Sequence, residues 1–323
     1  MAKKTLKIAT RKSPLALCQA QIVRELLEGV HPHLKITLLK LKTSGDKLLD
    51  SSLSKIGGKG LFVKEIEESL INKKADVAVH SLKDVPCDLP DSLILKIFTP
   101  REDPRDAIVF PLHSKKIPNV SEKEILEVLP HGAHIGTSSL RRQTQLLHYR
   151  KDLHFLTLRG NVGTRLKKLD TKTSKLDAIL LAAAGLKRLG LKDRKVFPLS
   201  PEVFIPAVGQ GVLGLQIRKD DKATMDLLKK IHDPPTEIFA RAERAFLERL
   251  KVSCQVPLGG YAYRSHGKLK MKCFISSLDG RKFIQKEMSG DDKFPEELGK
   301  KLAEKLLSAG GGKILKELQN EEI

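Results

Sequence analysis

The chain has 323 residues, of which 40% are hydrophobic and 4% aromatic, and its formal net charge is +20. This length predicts two or three folded domains, and the lack of a run of about 18 apolar residues disfavours a membrane span. Cysteines occur at Cys18, Cys87, Cys254 and Cys273 with no C-x-x-C pair, which disfavours a zinc site or a disulfide framework. We therefore expect a cytoplasmic protein without a metal.

The first hundred residues alternate between strand and helix patterns. Residues 51–60 are too rich in Ser, Gly and Lys for a core element, so they are predicted to form a mobile loop or lid. The helix predicted next, at 61–72, is amphipathic, and Glu65, Glu67 and Glu68 are expected on its outer face. The other predicted elements here are strands at 5–9, 35–41, 76–80 and 93–98 and a helix at 15–27.

The second part of the chain resembles the first. Residues 100–106 collect proline and charge between two apolar runs, which is typical of a hinge. After it, IGTS at 135–138 matches IATR at 8–11, and LDAIL at 176–180 matches ADVAV at 75–79. Further predictions are strand ends at 134–136 and 153–158, helices at 143–149, 166–169, 236–250 and 294–307, a second chain crossing at 206–211, a strand at 212–217, and short strands from 254 to 278 and beyond.

Two chain crossings between two similar α/β lobes indicate a clamshell, whose ligand lies in the cleft at the carboxyl ends of the strands. The predicted first lobe comprises residues 1–100 plus 212–230, and the second comprises residues 101–211, with hinges near 100–106 and 206–211. A C-terminal domain at 233–323 is predicted to carry Cys254.

Two neighbouring strand-to-helix turns suggest an anion site. In GTSSLRR at 136–142 and RGNVGTR at 159–165, small and polar residues precede a helix that opens with arginine. Backbone N–H groups at a helix N-terminus and guanidinium forks both bind carboxylates or phosphates. One such turn is more simply explained by N-capping beside solvated arginines. The presence of two such turns instead predicts a binding site for a ligand that carries many carboxylates.

Asp84 and Cys254 are the other candidates for chemistry. Asp84 follows a strand end, where it could bind a ligand N–H, stabilise a cation or move a proton, or form only a structural ion pair or a helix cap. Cys254 precedes a turn with Pro257, Gly259 and Gly260, where a thiol can be reached, although a lone cysteine is more often a small buried residue. The P-loop pattern is missing, which disfavours nucleotide chemistry.

Seven further-reaching motifs occur along the chain: HSLKDVP (80–86), REDPRD (101–106), GTSSLRR (136–142), LRGNVGTR (158–165), AAGLKRLG (183–190), PAVGQG (206–211) and CQVPLG (254–259). Together these segments resemble the porphobilinogen deaminase (hydroxymethylbilane synthase) family along nearly the whole chain. The resemblance implies an α/β fold with two periplasmic-binding-protein-like lobes, a cleft between them, and a small α/β C-terminal domain. The sequence departs from the family at 251–253, where Lys-Val-Ser precedes the cysteine instead of the usual glycine.

The implied activity is a transferase reaction of tetrapyrrole (heme) biosynthesis. Four porphobilinogen molecules are joined head to tail, with loss of ammonia, to give hydroxymethylbilane. The implied cofactor is a dipyrromethane bound to Cys254 through a thioether. In the implied mechanism the pyrrole nitrogen expels ammonia, the terminal ring attacks the resulting azafulvene cation, and Asp84 stabilises the positive charge and moves protons. The implied protein is a monomer without nucleic-acid or membrane partners.

The resemblance also assigns site residues, while two other function classes stay open. One is a non-catalytic clamshell that binds a small polyanion, which gives Asp84 and Cys254 no role. The other is an RNA-binding protein, suggested only by the positive charge. The implied cofactor residues are Cys254, Ser81, Lys83, Asp84, Thr137, Ser139, Arg141, Arg142 and Arg159; the implied substrate residues are Arg11, Ser13, Arg159, Arg165 and Arg188; and the implied lid residues are Lys55, Lys59 and Phe62.

Overall fold

A computed structural model describes residues 3–47, 63–114, 124–191, 194–252 and 256–321. The chain separates into two compact units, Met1–Glu102 with Gly211–Glu237 and Asp103–Gln210 with Ile238–Ile323. The predicted lid residues Lys55, Lys59 and Phe62 and the predicted cofactor cysteine, Cys254, lie outside the described residues. The division into three domains with the boundaries given above stays a prediction.

Helices and strands alternate along most of the chain, as the sequence pattern predicts. In chain order they are β1 (Thr5–Arg11), α1 (Pro14–Val30), β2 (Lys35–Leu41), α2 (Ser44–Lys47), α3 (Lys64–Ile71), β3 (Val77–Ser81), β4 (Leu93–Phe98), β5 (Asp106–Val109), α4 (Ile125–Val128), β6 (His134–Gly136), α5 (Leu140–Tyr149), β7 (His154–Leu156), α6 (Val162–Asp170), β8 (Ala178–Ala182), α7 (Ala183–Arg188), β9 (Val196–Pro198), β10 (Leu213–Arg218), α8 (Lys222–Leu228), α9 (Pro234–Leu250), β11 (Leu258–Ser265), β12 (Lys268–Ser276), β13 (Phe283–Gly290), α10 (Pro295–Leu306) and α11 (Gly312–Glu321).

The first unit is built on a five-stranded sheet with the order β2-β1-β3-β10-β4. Strands β1, β2 and β3 are parallel, and β10 runs antiparallel to both of its neighbours. Strand β3 is almost continuously apolar because both faces of the sheet are covered. Val77 and Val79 pack in the core that includes α1, whereas Ala78 packs in the core that includes α3.

The expectation that Glu65, Glu67 and Glu68 all lie on the outer face of α3 is wrong for Glu67. Only Glu68 is exposed, whereas Glu67 is half-buried and accepts a hydrogen bond from Gln216 on β10 (2.8 Å). Glu65 is also half-buried and accepts hydrogen bonds from the backbone N–H and hydroxyl of Ser44. Hydrogen bonds with Ser44 and Gln216 therefore allow part of the charged face of α3 to be half-buried.

The second unit contains a five-stranded sheet with the equivalent order, β7-β6-β8-β5-β9. Strands β6, β7 and β8 are parallel and β5 is antiparallel to both of its neighbours, as in the first unit. Ile8 is paired with Val77 in one sheet and Ile135 with Ala178 in the other. The predicted match between residues 8–11 and 135–138 and between 75–79 and 176–180 is therefore confirmed.

The C-terminal part of the second unit is a three-stranded antiparallel sheet, β11-β12-β13, with its core formed together with α9 and α10. The buried carboxylate of Glu243 on α9 accepts hydrogen bonds from the backbone N–H of Gly209 (2.5 Å) and of Ala262 (2.8 Å). Gly209, in the predicted chain crossing at 206–211, is thus held against α9 and β11 within this unit. With its three sheets, the chain confirms the predicted α/β fold class.

No helix in the described ranges combines the length and the apolar character that crossing a bilayer requires.

The two predicted hinge segments run side by side at the edge of the first unit. The N–H of Glu102 donates to the carbonyl of Gly211 (3.1 Å), and the N–H of Thr99 donates to the carbonyl of Leu213 (3.2 Å). Gly211 has a φ of +88°, and a Cβ atom at this position would lie 2.3 Å from the carbonyl oxygen of Glu102. This close approach therefore requires glycine.

We predict that Gly211→Ala destabilises the protein by about 1–2 kcal/mol through its left-handed backbone alone, and by more through the clash with Glu102. Chemical denaturation measures the change. The control is Gly29→Ala, because Gly29 lies in α1 with no atom within 4 Å of the added Cβ, so that alanine should preserve or slightly raise stability. Equal stability of the two variants would contradict the prediction.

Candidate functional site

The first unit has a pocket at the carboxyl ends of β1 and β3, and four predicted site residues line it. Arg11 is the last residue of β1, Ser13 is the N-cap of α1, and Ser81 is the last residue of β3. Asp84 ends the single 3-10 turn that follows β3. Two motifs separated by some seventy residues therefore meet in one pocket. Lys83 lies in the same turn as Asp84 but not in the pocket lining.

The two serine hydroxyls of this pocket already accept hydrogen bonds from the protein. Ser13 Oγ accepts from the backbone N–H of Ala16 (3.3 Å), as an N-cap does. Ser81 Oγ accepts from the side-chain amide of Gln19 on α1 (2.9 Å), which is buried. Because a hydroxyl carries one donor, each serine retains its proton for a hydrogen bond to a ligand.

His80, which the sequence analysis did not assign to the site, also lines the pocket and is buried. Its Nε2 lies 3.0 Å from Oε1 of Gln216, whose amide nitrogen donates to Glu67. Burial lowers the pKa of His80 to about 4, an effect that the hydrogen bond with Gln216 opposes. Burial likewise raises the pKa of Glu67, again against the effect of Gln216. The imidazole is therefore neutral at pH 7.

In the second unit, Arg141 and Arg142 converge on Asp106. Helix α5 begins at Leu140, three residues before the predicted start, so both arginines lie in its first turn. Arg141 donates to both carboxylate oxygens of Asp106 (2.6 and 3.0 Å), and Arg142 donates to one of them through Nε (2.8 Å). Arg141 also donates to the carbonyl of Ile205 and Arg142 to that of Leu180.

This cluster buries two positive charges against one negative charge. Asp106 is fully buried, and the two arginine side chains are each only 8% exposed. Burial lowers the pKa of Arg142, the attraction of Asp106 opposes that shift, and the repulsion of Arg141 adds to it. An additional anion beside the arginines would balance the remaining positive charge. The donor set thus fits a carboxylate-bearing cofactor. Sequence reasoning missed Asp106, although it ends the REDPRD motif.

The two strand-to-helix turns of this unit differ. At α5, the N-cap Ser139 makes no side-chain capping bond, and the hydroxyl of Ser138 donates instead to the carbonyl of Leu158 (2.9 Å). At α6, Asn161 accepts a hydrogen bond from the backbone N–H of Thr164 (2.9 Å) and caps the helix. At α6, the N-capping of the simpler explanation is therefore present.

The remaining predicted residues of the second unit also lie near the ends of its parallel strands. Thr137 is buried directly after β6, where its hydroxyl oxygen accepts from the backbone N–H of Ser139 (3.2 Å). Arg165 in α6 donates through Nε to the carbonyl of Gly160 (2.8 Å). Arg159, which precedes that turn, and Arg188, which ends α7, are half-buried, and both interact with neighbouring groups.

Comparison with known families gives two matches. Residues 6–226 match the family described as porphobilinogen deaminase, dipyromethane cofactor binding domain, and residues 238–308 match porphobilinogen deaminase, C-terminal domain. The protein named porphobilinogen deaminase from Pelobacter propionicus is 47% identical over 323 residues and covers 100% of both chains. Its counterpart from Syntrophotalea carbinolica is 48% identical over 315 residues, covering 98% of this chain and 96% of that relative.

Solved structures resemble the chain less closely. The alkanesulfonate-binding protein SsuA from Xanthomonas axonopodis pv. citri is 17% identical, covers 78% of this chain and 76% of its own, and has a TM-score of 0.38. CbnR, a LysR family transcriptional regulator, is 11% identical, covers 71% of this chain and 70% of its own, and has a TM-score of 0.45.

We predict that Asp106→Asn destabilises the protein by about 3–5 kcal/mol, because it leaves two buried guanidinium groups without their shared carboxylate. Chemical denaturation measures this loss. Glu304→Gln serves as the control, since it also replaces a carboxylate by an amide but breaks an exposed pair with Arg249. It should change stability by less than about 1 kcal/mol. A similar small effect in both variants would rule out Asp106 as the residue that stabilises the arginine pair.

Proposed function

The chain belongs to the porphobilinogen deaminase family, and from that premise we propose how its own residues join four porphobilinogen molecules into hydroxymethylbilane with loss of ammonia. The observation that carries the proposal is the pocket of the first unit. There, Arg11, Ser13 and Ser81 provide hydrogen-bond donors beside the carboxylate of Asp84.

The chemistry of this pocket matches the substrate. Porphobilinogen carries an acetate, a propionate and a pyrrole N–H, so it needs donors for its carboxylates and an acceptor for its N–H. The guanidinium of Arg11 and the protons of Ser13 and Ser81 are suited to the carboxylates. Asp84 is suited to the pyrrole N–H. A pocket for a phosphate ester would need the same donors but would gain nothing from the carboxylate.

Asp84 is the proposed catalytic residue. When the amino group of porphobilinogen leaves as ammonia, the pyrrole nitrogen supplies electrons and becomes positively charged. A carboxylate at hydrogen-bond distance stabilises that charge and can accept the proton that is lost after each new carbon–carbon bond forms. Arg11 in the same pocket would otherwise disfavour the cation, so an anion is required there.

The cofactor is assigned to the second unit's arginine pair and to Cys254. When bound, dipyrromethane supplies the pyrrole carbon to which the first substrate ring is added. Arg141 and Arg142 would hold its carboxylates, because their cluster retains an excess positive charge in the protein interior. The uncapped start of α5 would contribute backbone N–H groups. Further proposed cofactor residues are Thr137, Ser139, Ser81, Lys83, Asp84 and Arg159, and Cys254 would form the thioether.

The remaining assignments concern the incoming and growing chain. Each added ring brings two more carboxylates, for which Arg165, Arg188 and Arg159 are the proposed partners, together with Arg11 and Ser13 in the first unit. Lys55, Lys59 and Phe62 are the proposed lid residues. We further propose that the protein acts as a cytoplasmic monomer on its small-molecule substrate, without a nucleic-acid or membrane partner.

We predict that the purified active protein is heavier than its polypeptide by two linked pyrrole units. Intact-mass spectrometry measures this excess, and Cys254→Ser should remove it because a serine oxygen cannot form the thioether. Cys18→Ser is the control, since Cys18 lies in α1 and should leave the excess unchanged. A bare polypeptide mass in an active preparation would refute the covalent cofactor.

We predict that Asp84→Asn keeps the fold but lowers kcat by about 100-fold to 10,000-fold, because an amide neither carries the negative charge nor accepts the proton. Ammonia release from porphobilinogen measures the rate. Asp88→Asn is the matched control, since Asp88 is exposed a few residues farther on and lies outside the pocket lining. If Asp84→Asn turned over at the rate of this control, Asp84 would have no part in the chemistry.

A further inference from the structure

His80 has no role in the function proposed so far, yet it lines the same pocket as Asp84. Its side chain is almost fully buried, with 6% of the residue exposed. Strand β3 is supported from two sides at this point, because Gln19 on α1 binds Ser81 while Gln216 on β10 binds His80. The end of β3 therefore presents two neighbouring side chains that are each oriented by an amide.

The hydrogen-bond chain determines which nitrogen of His80 carries the proton. The amide nitrogen of Gln216 donates to the carboxylate of Glu67, so its oxygen faces His80. That oxygen can only accept, so Nε2 of His80 must be the donor across the 3.0 Å contact. A neutral imidazole with its proton on Nε2 has a free lone pair on Nδ1. Within the described residues, Nδ1 of His80 has no hydrogen-bond partner.

The pocket thereby contains two kinds of group. Arg11 and the hydroxyl protons of Ser13 and Ser81 are donors, whereas the carboxylate of Asp84 and Nδ1 of His80 are acceptors. A positive imidazolium would add to the charge of Arg11, but the burial of His80 disfavours that form. An uncharged acceptor beside a charged one suits a ligand whose N–H group becomes positive during the reaction.

We propose that His80 is a further substrate-binding residue, which offers Nδ1 as a hydrogen-bond acceptor to a pyrrole N–H in the pocket that it shares with Asp84. The identity of the N–H group rests on the proposed function. The tautomer rests only on the contacts among His80, Gln216 and Glu67. Glu67 and Gln216 are positioning residues, since they act on the substrate through His80.

Two substitutions of His80 separate binding from structural support. The amide of asparagine extends about as far as Nδ1 of histidine, and that of glutamine about as far as Nε2. His80→Asn therefore retains an acceptor at the Nδ1 position, whereas His80→Gln retains the contact with Gln216. We expect kcat/KM for porphobilinogen to fall by about 10-fold to 100-fold in His80→Gln, chiefly in kcat, and by less than about fivefold in His80→Asn. The opposite order, or equal rates, would overturn the proposal.

Nitrogen NMR of the unsubstituted holoprotein tests the tautomer even if a variant fails to fold. Among the ten histidines, the ring of His80 should remain neutral near pH 5.5, where an ordinary histidine with a pKa of about 6.5 is charged. Its proton should be on Nε2, and a proton on Nδ1 would contradict the proposal. Glu67→Gln should yield a mixture of tautomers, because the amide of Gln216 can then face either way. Glu68→Gln, at the exposed neighbour of Glu67, should yield none.

Different results would contradict the proposed function and the role of His80. If the unsubstituted protein releases no ammonia from porphobilinogen, the proposed function is wrong. If it is active but His80→Gln matches it, only the role of His80 is wrong.

Discussion

In the second unit, one buried carboxylate holds two guanidinium groups together. Without Asp106, Arg141 and Arg142 would repel one another in the first turn of α5, where the helix macrodipole already disfavours cations. With it, the pair is stable but retains one uncompensated positive charge. The protein thus meets most of the desolvation cost of the arginines when it folds. A ligand carboxylate would then gain the attraction of a preorganised cation, which is the physical basis for the proposed binding of an acidic oligopyrrole by this pair.

The two five-stranded sheets show how one scaffold supports different chemistry. In each unit an aspartate before the third parallel strand, Asp76 or Asp177, accepts a hydrogen bond from the backbone of the first strand, at Lys7 or His134. The strand partners then differ in charge. Ser81 is paired with Leu213 on β10, whereas the equivalent Ala182 is paired with Asp106 on β5.

The equivalence between the two units extends beyond the ends of β3 and β8. Three residues beyond Ser81 is Asp84, and three beyond Ala182 is Gly185. The first unit therefore has its carboxylate in the turn after the strand, where a ligand can reach it, and the second has its carboxylate inside, where it holds arginines. This difference agrees with the proposed roles, an acceptor for N–H groups in the first unit and donors for carboxylates in the second.

Sequence pattern predicted the strands that are buried on both faces and the helices with a clear apolar stripe, such as β3 and α1, because burial imposes those patterns directly. It placed the start of α5 too late, since periodicity cannot show that Arg141 and Arg142 are held by Asp106, some 35 residues away. It likewise placed Glu67 outside, because its partner Gln216 lies 149 residues farther along the chain. Local sequence does not encode such contacts, and they are the ones that orient the site.

The pocket of the first unit can discriminate between ligands because hydrogen bonds within the protein already hold some of its polar side chains. Gln19 donates a hydrogen bond to the Ser81 hydroxyl, and Gln216 forms a hydrogen bond with Nε2 of His80. These bonds disfavour rotation of Ser81 or His80 to accommodate a ligand of different polarity. A pyrrole without carboxylates would leave the hydroxyl protons of Ser13 and Ser81 without ligand acceptors. A ring without N–H would leave Asp84 without a donor. Each mismatch would therefore weaken binding of the ligand in this pocket. The amides of Gln19 and Gln216 thus orient two of the polar side chains that line this pocket.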